Sequence, residues 1–218
     1  MKVLVGCEAS QRVCKAFRRK GHEAYSCDMK EAYGDPDLFD KTIESVPEWH
    51  IVGDVLDVIN DDWDLQIHFP PCTYLSNAGN SYFNVDKYGE KAVLRNHERE
   101  KAIAFFMKLV NAPCDKIAIE NPVGAMNTLY RKPDQIIHPY YFGEPYLKKT
   151  CLWLKGLPVL EYSDTIIDKP VNTGISTGRK TKGKKMNWVD GGKHFGSRQV
   201  SRGITFQGIA TAMAEQWG

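Results

Sequence analysis

The chain is predicted to be an α/β protein whose sheet is mostly parallel. Apolar runs of strand length recur through its first 120 residues, and segments of helical period stand between them. Strand, helix and strand in repetition build a parallel sheet covered on both faces, with ligands at the carboxyl ends of its strands. The third observation is length, since 218 residues suffice for one substantial core and a small appendage.

Residues 2–7, 23–28, 50–54, 64–69 and 116–120 read as strands in turn. Residues 11–20 show helical spacing after the first. Residues 88–111 do so before the fifth, with Ala92, Ile103, Phe106, Met107 and Val110 available for one face. From Asp134 the pattern shortens to β-like pieces at 135–140 and 150–154, followed by a Gly- and Lys-rich stretch. Residues 205–217 return to helix, where Ile209, Ala212, Met213 and Trp217 recur at three and four and predict packing back onto the sheet. No internal repeat interrupts this order.

Composition narrows the classes. The opening apolar run is far too short for a signal-peptide core and no later stretch is long enough to span a bilayer, so a soluble, cytoplasmic protein without membrane contact is expected. Six cysteines lie scattered without a C-x-x-C pair or clustered histidines, which encodes neither a disulfide framework nor a metal site. Residues 169–202 hold nine Lys or Arg against Asp190 alone, although the whole chain carries only +2. That stripe is the candidate for meeting a polyanion, with Lys180, Lys182, Lys184 and Lys185 as phosphate contacts and Trp188 as a stacking ring. Glycines, among them Gly174, Gly178, Gly183, Gly191 and Gly192, interrupt the same stretch, so a solvated basic loop is the competing reading.

Two strand ends carry the chemistry. Phe69-Pro70-Pro71-Cys72-Thr73 closes an apolar strand with consecutive prolines, which neither continue a central strand nor enter a helix interior and so fix Cys72 in a turn. A thiol at that end of a sheet serves as a nucleophile once it ionises. Residues 117–122, Ile-Ala-Ile-Glu-Asn-Pro, close another strand on Glu120 and Asn121. If the two strands are neighbours, Cys72 and Glu120 face one pocket, and a desolvated Glu120 keeps a proton to donate.

These pieces, with Ser76 after the first and Val123-Gly124 after the second, resemble the Pro-Cys and Glu-Asn motifs of the cytosine-5 DNA methyltransferases, short phage-type members especially. Val52-Gly53-Asp54-Val55 is similar to the family's Gly-Asp-Ile motif, and residues 141–150 to its Tyr-Gly-x-Pro-Gln-x-Arg-x-Arg motif. The resemblance implies a Rossmann-like methyltransferase fold with a small basic insertion: residues 1–155 and 203–218 as catalytic domain, 156–202 as the target-contacting segment. It implies S-adenosylmethionine as cofactor, DNA as partner, single-stranded or read with little sequence specificity, and methylation of C5 of cytosine through a covalent Cys72 adduct. Glu120 would serve N3 of the base, Asn121 would orient Glu120, and Lys148 would contact the base.

The resemblance further implies cofactor contacts at Gly6, Glu8 and Pro70, Asp28 at the ribose hydroxyls and Asp54 at the adenine amino group. The helix after Ser10 would offer its N-terminus to the cofactor's carboxylate. Where the family has a glycine-rich first loop, this chain reads Gly6-Cys7-Glu8-Ala9-Ser10-Gln11, and Tyr146 and Thr150 replace a Gln and an Arg. Three rival readings stay open: a degenerate member that binds without catalysis, the same chemistry on RNA or a free nucleotide, and a nucleotide-binding domain with a structural Cys72. Residues 77–89, with Tyr82, Phe83 and Tyr88, are expected to form a loop able to fold over an extruded base.

Overall fold

A computed structural model describes residues 1–33, 45–163, 168, 174–175, 185–186, 203 and 205–218. Its first strand, β1 (Lys2–Gly6), leads into helix α1 (Arg12–Arg19) and then β2 (Glu23–Asp28). β3 (His50–Val52) and β4 (Leu65–His68) follow. A four-residue helix α2 (Val85–Tyr88) precedes the long α3 (Glu90–Val110). β5 (Ile117–Pro122), α4 (Met126–Leu129), β6 (Gln135–Ile137) and β7 (Thr150–Lys155) come next. β8 (Gly174–Ile175) and β9 (Lys185–Met186) pair antiparallel as a separate ribbon, and α5 (Gln207–Gln216) ends the order.

The main sheet has seven strands in the order β3-β2-β1-β4-β5-β7-β6. β1 to β5 are mutually parallel, and only β7 runs against its neighbours β5 and β6. Strand order turns outward on both sides of the β1–β4 pair, the switch point at whose carboxyl ends Rossmann-like doubly wound sheets place their ligand crevice. The insertion of β7 follows from long-range pairing, since a six-residue apolar strand such as Thr-Cys-Leu-Trp-Leu-Lys satisfies its backbone equally well in either direction.

Apolar residues separate onto two faces. Val3, Val5, Leu65, Ile67 and Ala118 point toward α1 and α5, where Phe17, Ile209, Met213 and Trp217 meet them. Leu4, Cys27, Ile117 and Ile119 point toward α3, where Phe106 and Leu109 close the second layer. This is the period-two alternation of a sheet covered on both sides. The apolar positions expected on the last helix, Ile209, Ala212, Met213 and Trp217, are all buried. Leu160 joins the first core, and the Trp217 indole donates to the Pro158 carbonyl at 3.0 Å, so residues just after β7 pack with the main body.

The stretch 77–89 is more ordered than the expected loop. Residues Asn77–Phe83 form 3-10 turns and α2 follows, capped where the Asn84 side chain accepts from the Lys87 N–H at 2.8 Å. No helix among the described residues is long and apolar enough to cross a membrane. Lys180, Lys182, Lys184 and Trp188 lie outside the described residues, and of Lys185 only its place in β9 is fixed.

Candidate active site

β4 and β5 are neighbours in register, His68 opposite Ile119, so their loops leave the sheet side by side. The two loops are then stitched together. Asn121 Nδ2 donates to the Pro70 carbonyl at 2.8 Å, Asn77 N to Val123 O at 3.1 Å and Ala125 N to Leu75 O at 2.7 Å. Ser76 and Gly124 form an isolated bridge between them. A Cβ on Gly124 would overlap the Leu75 carbonyl, which is why that position is glycine. The Cys72 carbonyl accepts from Leu75 N at 3.1 Å and Ser76 N at 2.9 Å, making Cys72 the first residue of a turn. Its side chain is half-buried.

Glu120 is half-buried at the end of β5. Burial raises its carboxyl above the ordinary glutamate value, while the Lys148 charge and a hydrogen bond from Thr150 oppose the rise. Lys148 is thereby placed beside Glu120, two residues before β7 and alongside the strand end. Asn121 departs from its expected role. Successive residues of a strand face opposite sides, so Asn121 points to the α3 side, away from Glu120, and fixes the Pro-Pro-Cys turn instead.

At the other half of the crevice, Cys7, Asp28 and Asp54 close the ends of β1, β2 and β3. Burial raises the Cys7 thiol far above the usual thiol range, and Asp28 and Asp54 add to the rise, which puts both carboxylates around it. Asp28 accepts from Lys30 N at 3.0 Å and Asp54 from Leu56 N at 2.9 Å. Each uses one oxygen in that turn.

The loop from Gly6 to Gln11 replaces glycines with strain. Cys7 and Gln11 have φ of 60° and 59°, the left-handed region that glycine enters freely and other residues enter at a cost of about 1–2 kcal/mol. Gln11 is held there by two bonds to Val46, Nε2 to its carbonyl and its N–H to Oε1, both 2.8 Å. Gly6 itself makes room for a side chain from within, because a Cβ there would collide with His68 and Val55. Burial lowers the His68 imidazole to about 3, so it stays neutral, with Nε2 3.0 Å from Gln66 Oε1.

Glu8 also differs from expectation. Its buried carboxylate accepts from Val13 N at 2.7 Å and Cys14 N at 3.2 Å, with Ser10 Oγ at 3.4 Å. It seals the N-terminus of α1, so that end is not open to a ligand carboxylate. Two further residues reach the Cys72 loop without any motif to announce them: Arg95 donates to Thr73 O and Arg99 to Tyr74 O. Their spacing of four on one helix was the only signal in the sequence.

The fold and site define an α/β chain with a doubly wound crevice, a thiol and a carboxyl on adjacent strand ends, and two carboxylates on the strand ends opposite. No protein-family profile matches the chain, and no curated protein matches it.

Proposed function

We propose that the protein transfers a methyl group from S-adenosylmethionine to C5 of cytosine in DNA, with Cys72 as nucleophile. The observation that carries this reading is the Asn121–Pro70 bond, which locks the turn bearing Cys72 to the strand end bearing Glu120. A nucleophile and an acid held on neighbouring strand ends suit attack on a ring carbon whose neighbouring nitrogen takes a proton. Cys72 thiolate adds to C6 while Glu120, whose carboxyl burial raises above the ordinary glutamate value, shares its proton with N3. Lys148, beside Glu120, steadies charge on the base. After loss of the C5 proton to a base, the Cys72–C6 bond breaks and aromaticity returns.

The residues around Cys7 fit the cofactor's adenosine. Asp28 and Asp54 stand at adjacent strand ends as acceptors for ribose hydroxyls and an adenine amino group, and Pro70 follows β4, the strand between the two halves. The acidic surroundings suit a sulfonium cation. When bound, the cofactor supplies the electrophilic methyl group that C5 takes. With Glu8 accepting from the first N–H groups of α1, that helix N-terminus would not be what holds the cofactor's carboxylate.

The test is mechanism-based trapping. DNA carrying 5-fluorocytosine should form a denaturant-resistant adduct with the wild-type protein in the presence of S-adenosylmethionine. Cys72→Ser should form none and transfer no tritiated methyl group, at unchanged melting temperature. Turnover by the serine variant would overturn the mechanism, and binding of the cofactor without transfer by wild type would favour a non-catalytic binder.

A further inference from the structure

We propose that Arg95 and Arg99 bind a backbone phosphodiester of the DNA strand next to the cytosine that Cys72 attacks. This rests on the reading of Cys72 as a nucleophile toward a base in DNA. Both arginines leave the same face of α3, one turn apart and half-buried. Arg95 Nη2 donates to Thr73 O at 3.0 Å; Arg99 Nε donates to Tyr74 O at 3.1 Å and its Nη2 to Asn80 Oδ1 at 2.7 Å. The two guanidinium groups are thus tied to the residues that directly follow Cys72.

Their charge has no counterpart. Among the described residues no carboxylate lies within ion-pair distance of either group, and the nearby Glu98 is bonded to Lys101 at 2.7 Å. Burial, and after it the like charge of Arg95, lowers the Arg99 pKa. Holding carbonyl oxygens needs only a neutral amide, so two adjacent cations are an unfavourable choice for a loop clamp alone. Each guanidinium has five N–H donors, and Arg95 uses one and Arg99 two, while the buried Arg95 Nε has no partner. An anion with several acceptor oxygens satisfies both the charge and the spare donors, and a phosphodiester is the anion that accompanies a base in a strand.

The rings around the pair fit the same ligand. Arg99 lies 3.3 Å from the Phe83 ring centroid and Arg95 within 5.0 Å of Tyr74 and 4.8 Å of Phe83. These rings hold the guanidinium planes in place. Tyr82, 5.8 Å from Arg95, is 54 % exposed and offers a face for a neighbouring base.

The experiment uses Cys72→Ser protein, so that covalent chemistry does not enter, and a short labelled single-stranded oligodeoxynucleotide with one cytosine. Fluorescence anisotropy compares the natural strand with copies in which one phosphodiester beside the cytosine is an uncharged methylphosphonate. Neutralising one particular linkage should weaken binding about tenfold, the worth of one charge-assisted contact. Arg95→Gln and Arg99→Gln should bind the natural strand that much more weakly and no longer respond to that linkage. Arg95→Lys and Arg99→Lys, which keep the charge, should retain part of the response. Equal weakening against every strand, no weakening, or failure of all strands to bind would overturn the assignment. So would competition by free dCMP as strong as by the oligonucleotide. A 5-fluorocytosine adduct with wild type but no arginine–linkage coupling overturns the phosphate site alone; coupling without an adduct overturns the chemistry alone.

Discussion

In the proposed mechanism Glu120 would act as an acid only while it holds its proton, and burial raises its carboxyl above the ordinary glutamate value. The raised carboxyl therefore fixes the sign of the Glu120 contribution: it is present below the Glu120 pKa and is lost as pH rises through it, which makes the alkaline limb of the profile, while ionisation of the Cys72 thiol makes the acid limb. Glu120→Gln should lower kcat about 10²-fold or more, with cofactor binding retained, and remove that alkaline limb. The check is a kcat profile from acid to alkaline pH, and an unchanged profile in the variant would exclude the acid role. At this scale the sequence offered Cys72 and Glu120 as candidates because a Pro-Pro-Cys and a Glu-Asn-Pro each close an apolar strand. It did not reveal the partner of Asn121, since a bond to a carbonyl 51 residues away leaves no local trace.

α1 begins under unusual control, its first N–H groups satisfied by an acid four residues before the helix. Burial lifts Glu8 from an ordinary 4.5 to about 7, outweighing the hydrogen bonds that favour its charged form. The native state thus holds this proton more tightly than the unfolded chain. Its contribution is fully present below 4.5 and is lost as pH rises through about 7. Glu8→Gln keeps an acceptor for α1 but cannot titrate, so urea midpoints between those pH values should fall less steeply than in wild type. Parallel slopes would show that Glu8 does not titrate there. The paired loops after β4 and β5 give a second element-scale prediction. Gly124→Ala forces Cβ against the Leu75 carbonyl and should cost about 1–3 kcal/mol. It should also lower kcat, because the Cys72 turn shifts, while cofactor affinity stays as it was. Equal kcat and stability would mean that the loops yield freely.

The whole molecule depends on its last helix. α5 lies on α1 over the first core, and Trp217, 3 % exposed, packs there and bonds to Pro158, tying the C-terminal residues to the segment after β7. Trp217→Ala should remove about 3–5 kcal/mol, the usual cost of emptying a buried tryptophan site. A single, shifted urea transition would show that α5 and the sheet unfold together. Two separate transitions would show that the helix is an independent appendage.

Local periodicity was enough to place every strand of the main sheet and its principal helices to within a few residues, because alternation and helical spacing are written in adjacent positions. Local motifs at strand ends were enough to single out the thiol and carboxyl as candidates, because prolines stand beside both. Tertiary structure alone decided the rest. The strand order and the antiparallel insertion of β7 depend on backbone pairing between distant segments, which any apolar strand can offer. The left-handed backbone at Cys7 and Gln11 is imposed by packing and by the Val46 bonds, and no residue type there announces it. Glu8 read from sequence as an acid facing a ligand; in the fold its nearest donors are its own helix, because the left-handed turn at Cys7 carries its carboxylate back onto α1.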